Sequence, residues 1–269
     1  MKSISENYIF KEGQKLDDFD PNDISCFPLD RNQAEEQLFM IRAEFDDLQE
    51  LLHAQGKHRI LIVLQATDGA GKDNLIKNVF RGVNPKGVKV VNFKAPSEAE
   101  LSKDYIYRIH QTVPSNGEIV IHNRSIYEDV LAVRVHNLVP KSVWSKRYRH
   151  INEFERMLTD EGTIILKFFL NISKSEQKRR LKDRLNDSTK GWKVTKADFT
   201  ERKYWNDYQK AYNDIFKKTS TSYAPWYIIP ANNKWYKNLI VASILLKTLK
   251  DLNIELPKIN PDLKKMKLK

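Results

Sequence analysis

ILIVLQATDGAGKD, residues 60–73, is the most informative run of the chain. Ile60 to Leu64 are all apolar and several are β-branched, the composition of a short strand buried on both faces. Gln65 closes the run, and Ala66 to Lys72 form a small-residue loop. Leu75, Ile76, Val79 and Phe80 then recur at helical spacing. A strand, a Gly-rich loop and a helix in that order gather unpaired backbone N–H groups and the positive end of a helix dipole around one point, with Lys72 beside it. Such a point binds phosphate. The strict phosphate-loop pattern G-x-x-x-x-G-K-[ST] is met incompletely, because Ala66 stands where the first glycine belongs and Asp73 where Ser or Thr belongs. For the Gly71-Lys72 pair alone, an ordinary Gly-rich turn explains the pattern equally well. Asp68 favours the phosphate reading, since a carboxylate inside a phosphate loop is repelled unless a divalent cation lies between, and Mg²⁺ is therefore expected to be held in an unusual way.

Working outward, Val88–Phe93, Glu118–His122, Thr163–Leu170 and Trp226–Ile229 read as four more strands, each separated from the next by helical pattern. Ser97 with Glu100 makes a capping box for a helix to about Gln111, and further helices are predicted at 125–134, 141–160 and 234–252. Strands alternating with helices imply a parallel sheet covered on both faces, with ligands at the carboxyl ends of the strands. The loop at 66–72, the Lys94 loop and the Asn123-Arg124 corner all lie at such ends, so they are expected to converge. Ahead of this body, residues 1–29 show no sustained period and read as an arm. From Asp30 to Gly56 runs a long helix whose stripe of Leu38, Ile41, Phe45, Leu48 and Leu52 suits either its own subunit or another copy.

The segment between the fourth and fifth strands is the most basic, with Arg179, Arg180, Lys182, Arg184, Lys190, Lys193, Arg202 and Lys203. A solvated helix face explains most charge runs. Here the i, i+4 pair Arg180 and Arg184 favours a lid presenting cations to a phosphate-bearing cleft. Thr195 and Asp198 cap a following helix whose aromatic stripe, Tyr204, Trp205, Tyr208, Tyr212 and Phe216, suits core packing better than base stacking.

Composition narrows the classes. Lys and Arg number 46 against 35 Asp and Glu, a net charge of +11 that attracts polyanions. The single cysteine, Cys26, excludes an internal disulfide and a Cys-based zinc site, and the six histidines show no metal-ligand spacing. No apolar stretch of about 18 residues occurs and MKSISENYIF lacks a signal-peptide core, so a soluble, cytoplasmic protein without a membrane partner is expected.

Taken together, ATDGAGKD (66–73), VNPKGVKVVNFKAP (83–96), HNRSIYEDVL (122–131), RRLKDRLNDSTKGWKVTKADFTERKYW (179–205) and TSYAPWYIIPANNKWY (221–236) resemble the second polyphosphate kinase family. The resemblance covers nearly all of residues 30–256, and NFKAP, HNRS and YAPWYIIPA are most similar to the subgroup accepting both nucleoside mono- and diphosphates. It implies an α/β, phosphate-loop kinase-like, three-layer αβα fold with a five-stranded parallel sheet and a helical lid at about 175–205, followed by a basic tail at 257–269. It implies reversible transfer of phosphate from inorganic polyphosphate to AMP and ADP with Mg²⁺, guanine acceptors being left open, by a homo-oligomer, dimer or tetramer. Carried over residue by residue, Gly69, Ala70, Gly71, Lys72 and Asp73 wrap phosphate, with Lys72 on the transferring group. Asp68 binds Mg²⁺. Arg124, Arg179 and Arg184 neutralise the polyphosphate, and Lys94, Ala95, Pro96 and Glu128 line the acceptor nucleotide. Many members have Asp at Asn123, whose amide oxygen is a weaker Mg²⁺ ligand. Three other readings compete: an ATP-dependent kinase of a small metabolite, a nucleic-acid-binding module without a recognisable reading helix, and a catalytically inactive phosphate-loop scaffold.

Overall fold

The computed structural model describes residues 4–189, 191 and 194–258. Lys190 and Lys193 of the basic stretch, and the tail beyond residue 258, lie outside them. The helices are α1 (Ile4–Tyr8), α2 (Arg31–Gln55), α3 (Lys72–Val79), α4 (Glu98–Leu101), α5 (Tyr107–His110), α6 (Ala132–Val135), α7 (Lys141–Asp160), α8 (Lys174–Leu185), α9 (Lys196–Glu201), α10 (Trp205–Thr219) and α11 (Lys234–Asp251). The strands are β1 (Arg59–Ala66), β2 (Val88–Asn92), β3 (Ile119–Asn123), β4 (Thr163–Asn171) and β5 (Trp226–Pro230).

All five strands are parallel, in the order β2-β3-β1-β4-β5, as the sequence predicts for an α/β fold. Alternate residues of the central β1 feed two cores. Ile60, Ile62 and Leu64 join a cluster with α2, α3 and α11, while Leu61 and Val63 join one with α7 and α10. Each fully buried aliphatic side chain of this kind contributes about 1.5–3 kcal/mol before entropy is counted. After β1 the chain crosses to β2 on one side, and after β3 it crosses to β4 on the other. The strand ends of β1 and β3 therefore flank the crevice where α/β sheets bind ligands.

The stripe on α2 is spent within the chain. Leu38, Ile41, Phe45 and Leu52 are buried in the cluster that α11 shares, and Leu48 is partly buried there. The Asp30 cap and the left-handed Gly56 stop fall where the sequence places them.

Three predicted helices are shorter than expected. The helix from Ser97 to Gln111 is two single turns, because the Asp104 carboxylate accepts from the N–H groups of Ile106 and Tyr107 and so turns the chain between them. The helix at 125–134 begins as a 3-10 turn, Ile126–Asp129, started by Ser125 Oγ accepting from Tyr127 N–H. The Thr195–Phe216 helix keeps its Thr195/Asp198 capping box but tightens to 3-10 at Arg202–Tyr204. This turn directs the Arg202 guanidinium onto the Lys174 carbonyl and Gln177 Oε1. Tyr212 and Phe216 are core residues as expected. The arm is ordered on the sheet edge: Ile9 bridges Tyr227 in antiparallel fashion, Phe10 N–H donates to the Trp226 carbonyl, and Tyr8, Phe10 and Leu16 are buried.

Candidate active site

The loop after β1 is built from beneath. Four successive carbonyls are occupied: Asp68 O by Gln177 Nε2 at 2.7 Å, Gly69 O by Arg180 at 3.3 Å, Ala70 O by Arg180 at 2.8 Å and Lys237 at 3.1 Å, and Gly71 O by Lys237 at 2.8 Å. Drawing the carbonyls down turns the amides the other way. Among the described residues the N–H groups of Gly69, Gly71, Lys72 and Asp73 have no protein acceptor, and they stand at the N-terminus of α3. Gly71, at φ 92°, is the cap of that helix, and a Cβ there would lie 2.7 Å from Lys237 Nζ. Only glycine meets both conditions. Ala66, by contrast, is the last regular residue of β1 and pairs with Leu170, so its position asks for no glycine conformation.

Above the loop stand the charged residues. Arg124 Nη2 donates to Asp68 Oδ1 at 3.0 Å, with both side chains partly open to solvent. Arg124 sits at φ 62°, a left-handed conformation that costs a non-glycine residue about 1 kcal/mol or more. Its N–H donates to the Leu64 carbonyl, which ties the strained corner to β1. Glu128 follows on the 3-10 turn; Gln65, with its amide oriented to suit its neighbours, donates to Glu128 Oε1 at 3.2 Å and accepts from Ser125 Oγ at 3.1 Å. Burial lifts the Glu128 carboxyl above its ordinary range, with Arg124 and Lys72 opposing. Burial lowers Lys72, with Asp68 pulling the other way. Burial also works against the Arg124 charge, but Glu128 and Asp68 outweigh it and leave the guanidinium raised. Burial thus outweighs the opposing charges at Glu128 and Lys72, while at Arg124 the neighbouring carboxylates win.

Asn123 links the three strand-end segments. Its Nδ2 donates to Asp73 Oδ1 at 2.9 Å and to Asn92 Oδ1 at 2.8 Å, so the end of β2, the end of β3 and the first turn of α3 meet at one amide. Two acceptor oxygens dictate that orientation and leave Asn123 Oδ1 buried without a partner. The expected convergence therefore occurs, but through Asn92 rather than Lys94.

The other predicted residues lie further out. Lys94 and Ala95 are exposed and Pro96 half-buried; the Lys94 carbonyl accepts from Arg108. Arg179 is exposed and held by Glu176 and Asp183, and Arg184 is half-buried in the last turn of α8. Within this segment it is Arg180 that reaches the loop, while Glu176 accepts from its Nε at 2.7 Å. A cavity of about 270 Å³ opens beside Asp68, Arg124 and Glu128 and is walled by Leu131, His136, Trp205, Tyr208 and Tyr212. In its wall Glu201 accepts from Tyr208 OH at 2.7 Å and lies 3.0 Å from His136 Nε2. The sequence alone gives Gln177 and Lys237 no role and assigns the aromatic stripe to core packing, whereas Tyr204 is exposed and Trp205 and Tyr208, half-buried, line this cavity. The spacing of Gln177 and Arg180, i and i+3 on α8, is the one signal of an inward face.

A glycine loop at the start of a helix, backed by α8 and faced by Asp68, Arg124 and Glu128, accompanies a match of residues 28–257 to the family model described as Polyphosphate kinase 2 (PPK2). The chain belongs to the polyphosphate kinase 2 family. It is 55% identical over 243 residues to an AMP/ADP-polyphosphate phosphotransferase of Meiothermus ruber, covering 90% of this chain and 91% of that one. It is 39% identical over 274 residues to an ADP-polyphosphate phosphotransferase of Rhodopseudomonas palustris, covering 97% and 95% of the two chains. The crystal structure of polyphosphate kinase 2 from Arthrobacter aurescens TC1 superposes with a TM-score of 0.94 at 40% identity, over 98% of this chain and 95% of that one. The polyphosphate kinase 2 fold and the parallel sheet described above are thus the same architecture.

Proposed function

We propose that this chain transfers phosphoryl groups between inorganic polyphosphate and the nucleotides AMP and ADP, in both directions. The carrying observation is the loop with its carbonyls tied down and its amides turned outward at the start of α3, whose first residue is Lys72. The relatives named above act on AMP, ADP and polyphosphate, and their similarity over nine-tenths of the chain supports the same substrates here.

In the forward direction a terminal phosphate oxygen of the acceptor attacks the end phosphorus of the polyphosphate. The bond from that phosphorus to its bridging oxygen breaks, the shortened polyphosphate leaves with the electron pair, and the nucleotide gains one phosphate. An already ionised phosphate needs no general base. Catalysis is therefore charge stabilisation and alignment. The loop amides and Lys72 hold the transferring group, and Arg124, steadied by Asp68 and Glu128, neutralises charge between donor and acceptor. The cavity beside Glu128 holds the acceptor, while Lys94 to Pro96 form its outer rim. Arg179 and Arg184 extend the positive surface for a long polyanion.

Mg²⁺ fits the donor set: Asp68 keeps one carboxylate oxygen beyond its Arg124 contact, and Asn123 Oδ1 is a buried acceptor without a donor. When bound it would supply charge neutralisation and alignment of the phosphates. We further propose a cytoplasmic homo-oligomer; with the α2 stripe buried internally, the exposed Phe39 and Met40 of that helix offer the apolar surface. A monomeric mass in light scattering removes this part.

The deciding experiment supplies polyphosphate and Mg²⁺ and measures ATP formed from ADP and, separately, ADP formed from AMP. Product from both is expected. Product from ADP alone confines the enzyme to diphosphates, and product from neither by folded protein, with ATP serving as donor instead, returns the competing ATP-dependent kinase.

A further inference from the structure

Lys237 is a buried lysine with cations for neighbours and backbone carbonyls for partners. It is fully buried on α11. It lies in the first turn of that helix, where the backbone dipole disfavours a cation. Arg180, Lys234 and Lys72 are its charged neighbours, and among the described residues no carboxylate pairs with it; burial and those three cations hold it well below its ordinary pKa. A buried charge in this position is costly unless something offsets it. Its hydrogen-bond partners in the structure are the Ala70 and Gly71 carbonyls, the innermost two of the phosphate loop. Arg180, also buried, holds Gly69 and Ala70 from α8 and reaches on to the carbonyls of Ala231 and Asn232 ahead of α11. Its charge is shared with Glu176. Lys237 has no such counter-ion.

We infer that Lys237, with Arg180, is a positioning residue of the phosphate site: it fixes the loop carbonyls inward from beneath, and its ammonium, opposed by its surroundings in the free protein, is favoured once a polyanion occupies the amides above. Lys237 touches no substrate. It acts through the loop, whose amides point outward because their carbonyls are held, and through the field it adds across one layer of backbone. Arg180 holds the same carbonyls but with its charge already answered. The two cations therefore differ in role, Arg180 setting geometry and tying the lid helix to the loop while Lys237 adds charge. Polyphosphate as the natural polyanion rests on the function proposed above; the positioning role does not.

The test is binding of tripolyphosphate without acceptor nucleotide, by calorimetry and by the rise in melting temperature it causes, in wild type, Lys237→Met and Lys237→Gln. Methionine keeps the stem and removes charge and donors; glutamine keeps a donor and removes the charge. Expected is a loss of about tenfold or more in affinity for both, with the ligand-induced rise in melting temperature largely abolished, whatever the melting temperature of the unliganded variants. A merely structural lysine would lower the unliganded melting temperature and leave the increment alone. Affinity within twofold of wild type in either folded variant overturns the inference, and so does failure of both to fold, which would make the residue structural. Wild type that binds tripolyphosphate but transfers no phosphate overturns the proposed function and leaves this inference standing.

Discussion

Lys167 and Lys237 are both fully buried, on opposite sides of the central sheet, and the surroundings differ in one respect that separates a structural cation from a functional one. Lys167 Nζ is 2.6 Å from Glu155 Oε2, 2.9 Å from Tyr127 OH and 2.6 Å from the Thr219 carbonyl, with the Trp226 ring 5.3 Å away. Every donor has an acceptor and the charge has a counter-ion. Lys237 has carbonyls only, and those belong to the loop proposed to receive phosphate. Lys72 is the third case, part-buried above the same loop with Asp68 and Glu128 on hand. Burial alone says nothing of purpose; the partner does. A lysine with a carboxylate completes the fold, whereas one with only phosphate-loop carbonyls awaits an anion.

The sharpest way to separate the three lysines is to remove them singly. Lys72→Ala is expected to reduce phosphoryl transfer by about a thousandfold, the scale of losing a charged group aimed at the transition state, with little change in melting temperature. Asp68→Ala should match it within about tenfold, because Arg124 loses its anchor and the proposed Mg²⁺ site its carboxylate. Lys167→Met reverses the pattern. It leaves Glu155 buried without its cation and is expected to cost about 3–5 kcal/mol of stability in a denaturant melt. Tripolyphosphate affinity of the folded Lys167 variant should stay within about twofold, and a large loss there would dissolve the distinction between the two buried lysines.

How much of this is legible in the sequence follows from what each feature depends on. Strand positions, the Asp30 and Gly56 ends of α2 and the site loop follow from periodicity and local chemistry, and they lie where the sequence predicts. The failures are tertiary. Asp104 suits a helix equally well, and only its capture of two N–H groups breaks one there. Arg179 and Arg180 are adjacent and identical in type, so nothing local says which faces the loop; the helix phase fixed by Gln177 and Leu181 does. Lys237 resembles any lysine bordering an apolar helix until α3 and the loop are packed against it. The arm lacks a period because its described part, residues 4–29, docks through single residues, Tyr8, Phe10 and Leu16, rather than through a repeating face.

His122 shows the remaining way to bury a titratable group, which is to surrender the charge. It lies on β3 next to Asn123, with Nε2 3.1 Å from both Thr112 Oγ1 and the Thr112 carbonyl, and burial lowers its pKa from 6.5 to about 4. The unfolded chain therefore binds a proton that the folded chain refuses between those two values. Stability from this residue is complete above pH 6.5 and is lost as pH falls toward 4, by about 3 kcal/mol in all. Melts of wild type and His122→Gln from pH 7 to pH 4 should converge as pH falls. A parallel pair of curves would mean that His122 is as free to take up a proton in the fold as outside it.

The smallest effect is expected at the surface cations, and it tests the comparison from its far end. Arg179 is exposed and already answered by Glu176 and Asp183, so in the terms set by the lysines it is a paired charge. Exposed pairs contribute little to stability, and Arg179→Ala should leave the melting temperature nearly unchanged. If Arg179 serves polyphosphate, it does so at distance and only for chains long enough to leave the loop. The apparent KM for long-chain polyphosphate should then rise about two- to threefold in Arg179→Ala, more at low salt than at high, while tripolyphosphate binding stays as in wild type. A tenfold loss for tripolyphosphate would place this arginine at the loop itself, beside Arg180, and would mean that α8 turns to present a different face once the polyanion is bound.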